Sequence, residues 1–299
     1  MRSLWLSLLL LSSMAVAQEC TTYIVVPVID HETGEEIDNL KLADFSAQSG
    51  STALPVVSAE HKFSNRLLVL LEADGIQSNE KLDYQVKTIT KMAREAEDGK
   101  RIAYGIYADR AVFTKHFSSD EKERTAEINS VIEETSNLGK HVALYDVLHE
   151  ALQQFGQHEP GDTILLVGDP FDDASHRSAD QLEKEFLRSG TRLAVMLRQP
   201  FSRVNRDFMW SNHEREKATF DLLTSKTGGS YTVYEEHLFG FPWKGYMLGV
   251  QIPNARRFPK KWKLKLSDSA PIEGRNPKLY YPEQLPGCAT QATTTAAAK

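Results

Sequence analysis

The sequence predicts a doubly wound α/β domain with a mostly parallel sheet, carried on a small β domain that is formed from both chain ends. Two observations lead to this fold class. Short apolar runs alternate with amphipathic helical periods through the middle of the chain, whereas both ends show β patterns without a helical period. Alternating strands and helices are typical of βαβ units. The composition of the 299 residues, 41% hydrophobic and 25% charged, is that of an ordinary globular protein.

The first 17 residues, MRSLWLSLLLLSSMAVA, predict a secretory signal peptide. Arg2 precedes an apolar run that ends in the small-residue pattern Ala15-Val16-Ala17. The run is shorter than the about 20 residues of a membrane span, and an uncleaved membrane anchor is the alternative. Cleavage would leave 34 Lys and Arg against 41 Asp and Glu. We expect a secreted or periplasmic protein without integral membrane contact, and its acidic balance argues against a nucleic acid partner.

Residues 18–62 predict the N-terminal part of the β domain. The runs TYIVVPV, NLKLADFSAQSG and ALPVVSAEHK are rich in β-branched and apolar residues, and turn residues such as those of DHETGEE separate them. No helical period occurs here. We expect the C-terminal part of the chain to complete this domain.

Residues 63–237 predict the α/β domain. Residues 65–71 have the length of a strand and are continuously apolar from Leu67 onward, as in strands that are buried on both faces. The apolar period of residues 82–96 predicts a helix, and Ser118 with Glu121 forms a capping signature for the next one. The other elements are the strands RIAYGIYA and AVFTKHF, the helix in HVALYDVLHEAL, the strand DTILLVGD, the helix SADQLEKEFLRSG, the strand TRLAVMLR, the helix EREKATFDLLTSKTGG and the strand SYTVY.

The β pattern returns in residues 238–288, with the runs KGYMLGVQIP, KWKLKLS and PKLYYP. The basic and aromatic stretch RRFPKKWKLKL alternates like a strand with a solvated edge. Residues 289–299 are of low complexity, and we expect this tail to be disordered. The only cysteines, Cys20 and Cys288, flank β segments of the same predicted domain. In an oxidising compartment such a pair favours a disulfide, and two unrelated free thiols are the alternative.

Acidic residues follow the ends of two predicted strands. Glu72 and Asp74 come after the first apolar run of the α/β domain, and Asp169, Asp172 and Asp173 come after ILLVG. Ligands of doubly wound sheets bind beyond the carboxyl ends of the strands. We therefore expect these carboxylates to lie at one edge of the sheet, where they hold a metal, run a reaction or cap turns.

The order of the elements resembles the von Willebrand factor type A domain. The strand that ends at Leu71 and the stretches HVALYDVLHEAL, ILLVGD, LRSGTRLAVMLR and LLTSKTGGSYTVY follow one another as in that domain. The flanks IVVPVIDHETGEEIDNLKLADFSAQ and YMLGVQIPNARRFPKKWKLKLSD resemble those of the secreted bacterial proteins called VWFA-related, which are common in acidobacteria. The resemblance covers nearly all of the mature chain, and it implies a fold whose sheet edge binds partners.

The resemblance also implies the positions of a metal-ion-dependent adhesion site, whose loops supply D-x-S-x-S, a threonine and an aspartate. Glu72, Asp74 and Ile76 take the positions of the first loop. Val142 takes the position of the threonine, and Asp169 matches the aspartate. Glu72, Asp74 and Asp169 have the oxygen atoms that Mg²⁺ and Ca²⁺ prefer, but Ile76 and Val142 have none. We expect a degenerate site without a cofactor, and weak Mg²⁺ or Ca²⁺ binding is the alternative.

Other signals of chemistry are weak. The loop GDPFDDASH contains three aspartates and a histidine, which suit a divalent metal; they are Asp169, Asp172, Asp173 and His176. The alternative is a solvated loop in which Asp173 or Ser175 caps a turn or helix. The chain has no H-E-x-x-H motif, no G-x-S-x-G elbow and no P-loop. We therefore predict no catalytic residue.

The segment RQPFSRVNRDFMWSNH, residues 198–213, connects a predicted strand to the next helix. Such connections usually have about two to six residues, and longer ones are usually functional or disordered. Aromatic residues, Met and Arg are enriched in interface cores. We predict Arg203, Arg206, Phe208 and Trp210 as partner-binding residues, and a lid that packs on its own domain is the alternative.

The predicted function is an exported, non-enzymatic protein-binding or scaffolding module whose partner is another envelope or extracellular protein. The second hypothesis is a divalent-metal-dependent adhesion module, in which a partner carboxylate completes the ion at Glu72, Asp74 and Asp169. The third is a hydrolase that uses the same acids or a metal.

Overall fold

The computed structural model describes residues 19–61, 65–73, 100–168, 171–197, 218–233, 245–253 and 261–288. Within these ranges the chain forms one six-stranded sheet with helices and three smaller sheets. The predicted fold class, a doubly wound α/β sheet with a small β domain from both chain ends, is confirmed. Several predicted features lie outside the described residues: the signal peptide, the helix at 82–96, the segment 198–213 and the tail.

The strands in chain order are β1 (Cys20–Val26), β2 (Val28–Asp30), β3 (Phe45–Ser49), β4 (Thr52–Leu54), β5 (Val56–Glu60), β6 (Arg66–Glu72), β7 (Arg101–Tyr107), β8 (Ala111–Phe113), β9 (Thr163–Gly168), β10 (Arg192–Leu197), β11 (Tyr231–Val233), β12 (Tyr246–Ile252), β13 (Lys263–Leu266) and β14 (Pro277–Leu279). The helices are α1 (Glu121–Glu134), α2 (Leu144–Gln154) and α3 (Ala179–Ser189). Residues 218–227 are also helical and are called α4.

The large sheet has the strand order β11-β10-β9-β6-β7-β8. Its neighbours are parallel except at the edge, where β8 runs antiparallel to β7. Counted from β6, this is the order 3-2-1-4-5-6 of doubly wound sheets. All seven residues of β6 are buried, because Leu67, Val69 and Leu71 face one core and Leu68 and Leu70 face the other.

The helix termini show where local sequence signals decide the structure. Helix α3 begins at the capping box of Ser178 and Gln181 and ends at Gly190, which adopts a left-handed conformation with φ of 71°. The predicted capping signature of Ser118 is wrong. The N-cap of α1 is Asp120, whose side chain accepts from the amide of Glu123, while Ser118 forms a backbone bridge with Ile102.

The β domain combines strands from both chain ends. Its three sheets have the orders β1-β12-β5, β13-β3-β4 and β14-β2. Strands β1 and β12 pair antiparallel along seven residues, from Cys20 opposite Ile252 to Val26 opposite Tyr246. The predicted disulfide is confirmed, since Cys20 and Cys288 are bonded with their Cα atoms 5.8 Å apart. Among the described residues, no helix is long and apolar enough to cross a membrane.

Candidate binding edge of the sheet

Four strands of the large sheet end in one row at its carboxyl edge. The register places Tyr107 opposite Glu72 and Gly168 opposite Leu197. It also pairs the residues that precede Glu72 and Gly168. Because these strands are parallel and in register, the chain leaves the sheet at one common edge after each of them. This edge is where ligands of doubly wound sheets bind.

The predicted site residues follow these strand ends in the sequence. Asp74 follows Glu72 by two positions, Asp169 follows Gly168 directly, and the segment 198–213 begins after Leu197. All three lie outside the described residues, as do Ile76 and the four residues predicted to bind a partner. That these side chains converge therefore stays a prediction, and the aligned strand ends support it.

Glu72 is the one residue of the predicted metal set that the structure describes, and it is buried with 5% of its surface exposed. The backbone of Gly168 passes close to its side chain. A Cβ atom on Gly168 would lie 2.6 Å from Glu72 Cβ, 2.7 Å from its Oε2 and 3.1 Å from the Tyr107 hydroxyl oxygen. Only glycine leaves room for this approach, so the end of β9 is shaped around the Glu72 carboxylate.

Helix α2 begins beside the same edge, because the amide of Ala143 donates to the carbonyl of Ala108, the residue after β7, at 2.9 Å. Ala143 is the N-cap residue and has no side chain that can cap. The loop after β9 supplies the caps instead. Ser175 Oγ accepts from the amides of Tyr145 and Asp146 at 2.9 and 3.2 Å.

Asp172 and Asp173 complete this cap. The Asp173 carboxylate accepts from the amide of Val142 at 2.7 Å, and Asp172 accepts from Ser175 Oγ at 2.5 Å. Burial raises the pKa of Asp172, and the Ser175 hydrogen bond offsets part of that rise. Burial also acts to raise the pKa of Asp173, but its hydrogen bonds with His141 and Val142 outweigh this effect and leave the pKa below its usual value.

Val142 stands where the resemblance expects a threonine ligand, and its surroundings do not suit a metal. Its side chain packs against the core cluster beneath α2. Its carbonyl accepts from the amides of Asp173 and Ala174 at 3.0 and 3.1 Å. Among the described residues at the expected ligand positions, Glu72 has a side-chain oxygen and Val142 has none. The described part of the edge therefore fits Mg²⁺ poorly.

The alternative metal site in the loop GDPFDDASH stays a prediction, because Asp169 lies outside the described residues. Asp173 pairs with His141 at 3.0 Å, whereas His176 pairs with Asp146 at 3.1 Å. Among the described residues, Ser175 Oγ donates to Asp172 rather than to His176. The alternative of a capping loop is right, but the capped helix is α2, about 30 residues earlier in the chain, rather than the following one.

One cluster of ligating side chains was not predicted from the sequence, and it is formed by His116, Glu123 and Glu127. The imidazole nitrogens of His116 lie 2.7 Å from Glu123 Oε1 and 3.1 Å from Glu127 Oε1. The hydrogen bond with Glu123 and the charge of Glu127 raise the pKa of His116. When the imidazole is protonated, both of its nitrogens can donate to the carboxylates, so these short distances do not require a metal. The spacing of four between the glutamates on α1 was the available signal.

No protein-family profile matches this sequence, and no curated protein matches it. Solved structures with a similar fold include the conserved hypothetical protein BatB from Bacteroides thetaiotaomicron, at 12% identity and a TM-score of 0.42, covering 57% of this chain and 91% of that one. The ArnB paralog VWA2 from Sulfolobus acidocaldarius has 11% identity, a TM-score of 0.44 and coverages of 91% and 77%.

Proximal thread matrix protein 1 from the mussel byssus, with a zinc-occupied MIDAS motif, has 17% identity, a TM-score of 0.42 and coverages of 58% and 43%. Sequence identities and TM-scores this low do not indicate a ligand or a partner for this protein. The assignment of the α/β domain to a doubly wound fold rests on the order and register of its own strands.

Proposed function

We propose that the protein is an exported, non-enzymatic protein-binding module of von Willebrand A type, which recognises another envelope or extracellular protein at the carboxyl edge of its large sheet. One observation carries the proposal. The strand ends at Glu72, Gly168 and Leu197 form one row, so the chain leaves the sheet at the same edge after each of them. Membership in the secreted VWFA-related proteins is part of the proposal and rests on the sequence resemblance.

Direct side-chain contact is favoured over an ion bridge at this edge. Ile76 and Val142 bring no ligand oxygen, and Asp173 and Ser175 already occupy amide groups at the start of α2. The residues proposed to contact the partner are Arg203, Arg206, Phe208 and Trp210. Aromatic and arginine anchors of this kind often contribute about 2 kcal/mol or more each at an interface.

The absence of an enzymatic role is also part of the proposal. Asp172, Asp173 and Ser175 act as caps of α2, and His176 pairs with Asp146 at the surface. These groups are held by structural contacts, and none of them is paired as nucleophile and base. Export is supported by the disulfide between Cys20 and Cys288, since such links persist in oxidising compartments.

The decisive experiment compares partner capture by matched variants. The tagged protein, purified after export, is cross-linked to envelope extract, and the captured protein is identified and titrated. Phe208→Ala with Trp210→Ala should weaken its binding more than about tenfold while the melting temperature stays nearly unchanged. The control is Val57→Ala with Leu222→Ala, which removes two apolar side chains that are 45% and 53% exposed elsewhere.

Normal capture by the aromatic variant would overturn the proposed surface, and unfolding of that variant would show that the segment is a structural lid. The metal-dependent alternative is tested in the same assay. Glu72→Gln with Asp169→Asn, or removal of divalent ions by chelation, should weaken capture less than the aromatic variant does. Complete loss of capture on chelation would instead support the ion bridge.

A further inference from the structure

A cavity lies at the amino edge of the large sheet, opposite the carboxyl edge, where the α/β domain meets the β domain. This joint cleft has a volume of about 880 Å³, a size that is usual for ligand pockets. The end of α4 and the turn from Gly228 to Ser230 form one wall. Residues 261–263, which lead into β13, and residues 278–281, which begin within β14, contribute to the other wall.

The joint cleft carries an excess of positive charge. Lys261, Lys263 and Lys278 line it, against the acids Asp221 and Glu283. The three lysines are exposed, and none of them forms an ion pair within the described part of the chain. These lysines include two from the stretch RRFPKKWKLKL, which the sequence pattern assigned to a solvated edge. The structure places that edge at a cavity rather than on an open face.

A further cation lies behind the wall of the joint cleft. Arg192 is 3% exposed, and its Nε donates to the carbonyl of Gly228 at 3.1 Å. Both terminal nitrogens of its guanidinium are buried and have no hydrogen-bond partner among the residues that the structure describes. Burial lowers the pKa of Arg192 to about 10, so the group is still a cation at neutral pH. By contrast, the buried Arg66 at the same edge donates two hydrogen bonds to Asp162.

An unpaired buried charge acts over a longer range than a solvated one, because the surrounding protein screens it weakly. The field of Arg192 therefore adds to that of the three exposed lysines in the joint cleft. Burying a cation without a partner is costly, and an anion bound beside the wall would offset part of that cost. Charge thus selects an anionic occupant.

The shape of the wall that carries the three lysines favours an extended occupant. Lys261 and Lys263 alternate with Trp262, whose side chain is buried and donates to the carbonyl of Pro282 at 2.9 Å. Among the described strands, β13 has only β3 as a neighbour and β14 has only β2. Edge strands can accept an added peptide strand, whose side chains then alternate with the same period of two.

We propose that the joint cleft binds an extended acidic peptide segment of a partner protein, whose carboxylates meet Lys261, Lys263 and Lys278. This site is separate from the carboxyl edge and does not depend on it. The competing explanation is that the lysines only protect an edge strand from pairing with other chains. An acidic polysaccharide is the other ligand that the test distinguishes.

The test measures fluorescence anisotropy of the labelled peptide Glu-Thr-Glu-Thr-Glu-Thr against the exported protein. The neutral peptide Gln-Thr-Gln-Thr-Gln-Thr is the probe control. Changing Lys261, Lys263 and Lys278 to Gln should raise the Kd about tenfold, since three exposed ion pairs are lost. The control variant changes three exposed lysines of the α/β domain to Gln, namely Lys115, Lys122 and Lys140. It has the same net charge as the cleft variant and should alter the Kd less than about twofold.

Saturable binding that weakens with salt and is lost only in the cleft variant supports the proposal. It is overturned by any of three results: no saturable binding, equal binding of the neutral peptide, or equal loss in both triple variants. Binding of an oligogalacturonate but not of the acidic peptide would also overturn it, in favour of a polysaccharide. Melting curves of both variants check that each is folded.

Discussion

Removal of the Cys20–Cys288 disulfide is expected to lower the stability of the protein strongly, because the link closes nearly the whole chain. The two cysteines are 268 positions apart. A cross-link of this span reduces the conformational entropy of the unfolded chain by an amount worth about 5 to 6 kcal/mol. Residual structure in the unfolded chain lowers this figure, so it is an upper value.

The order of unfolding decides how this free energy appears in a melting curve. If the β domain unfolds while the α/β domain stays folded, only the residues before Arg66 and after Val233 gain freedom, which is about 100 residues of the closed loop. The link is then worth about 5 kcal/mol. The melting temperature then falls by about 20 °C or more, as for a small domain. If the whole chain unfolds at once, the fall is about 10 °C.

The native contacts around the link should survive its removal. Strand β1 stays paired with β12. The hydroxyl of Thr22 donates to the carbonyl of Pro286 at 2.8 Å, and the indole N–H of Trp262 donates to the carbonyl of Pro282. The effect of removing the disulfide is therefore expected mainly in the unfolded state, so the folded variant should keep its far-ultraviolet circular dichroism and its partner binding.

The assay is calorimetry and urea unfolding of the variant Cys20→Ser with Cys288→Ser, beside the oxidised and reduced parent protein. The variant and the reduced parent should melt alike and well below the oxidised parent. A fall of less than about 3 °C would refute the entropic reasoning. Free thiols at both positions in protein purified without reductant, seen by non-reducing peptide mapping, would refute the link itself.

Four further outcomes are expected. Calorimetry with millimolar Mg²⁺ or Ca²⁺ should show weak heat or none and little change in melting temperature, and a stoichiometric site of micromolar affinity would contradict this. Gly168→Ala should destabilise the fold by about 1 to 3 kcal/mol because its Cβ would meet Glu72, whereas Gly287→Ala, with open space around it, should change little in the same urea titration. Ser175→Ala should cost about 1 kcal/mol by uncapping α2, and an unchanged urea midpoint would show that the cap is redundant. Because the pKa of His116 is raised in the folded state, its protonated imidazole stabilises the fold fully below about pH 6.5, and this stabilisation is lost as the pH rises through the folded pKa. His116→Gln should abolish the corresponding pH dependence of the melting temperature. An NMR titration of the parent protein should show the raised pKa.

The sequence predicted those features that depend on neighbouring residues. The continuous apolar run of β6 indicated a strand buried on both faces, because no alternation with polar residues was present. The capping box at Ser178 and the glycine at position 190 bounded α3 as expected. The disulfide followed from the compartment and from the β segments beside Cys20 and Cys288. Each of these signals needs only the local sequence or the count of one residue type.

The features that the sequence did not predict depend on contacts between distant residues. Ser118 had the local pattern of an N-cap, but its backbone bridge to Ile102 holds it beside β7, and Asp120 takes the role. Ser175 caps a helix that begins 31 positions before it, and no local pattern reports this. The cavity beside Lys263 arises only when α4 and the β domain meet.

The carboxyl edge explains why the proposed binding surface does not depend on a bound ion. Backbone hydrogen bonds of the sheet align Tyr107, Glu72, Gly168 and Leu197, and this alignment needs no ion. At the start of α2, amide groups that would otherwise be open are taken by the chain's own Asp173 and Ser175. An ion would therefore add a bridge to an edge that is already assembled. Recognition by the side chains of the emerging segments requires only that assembled edge, which is why the proposal places the partner there.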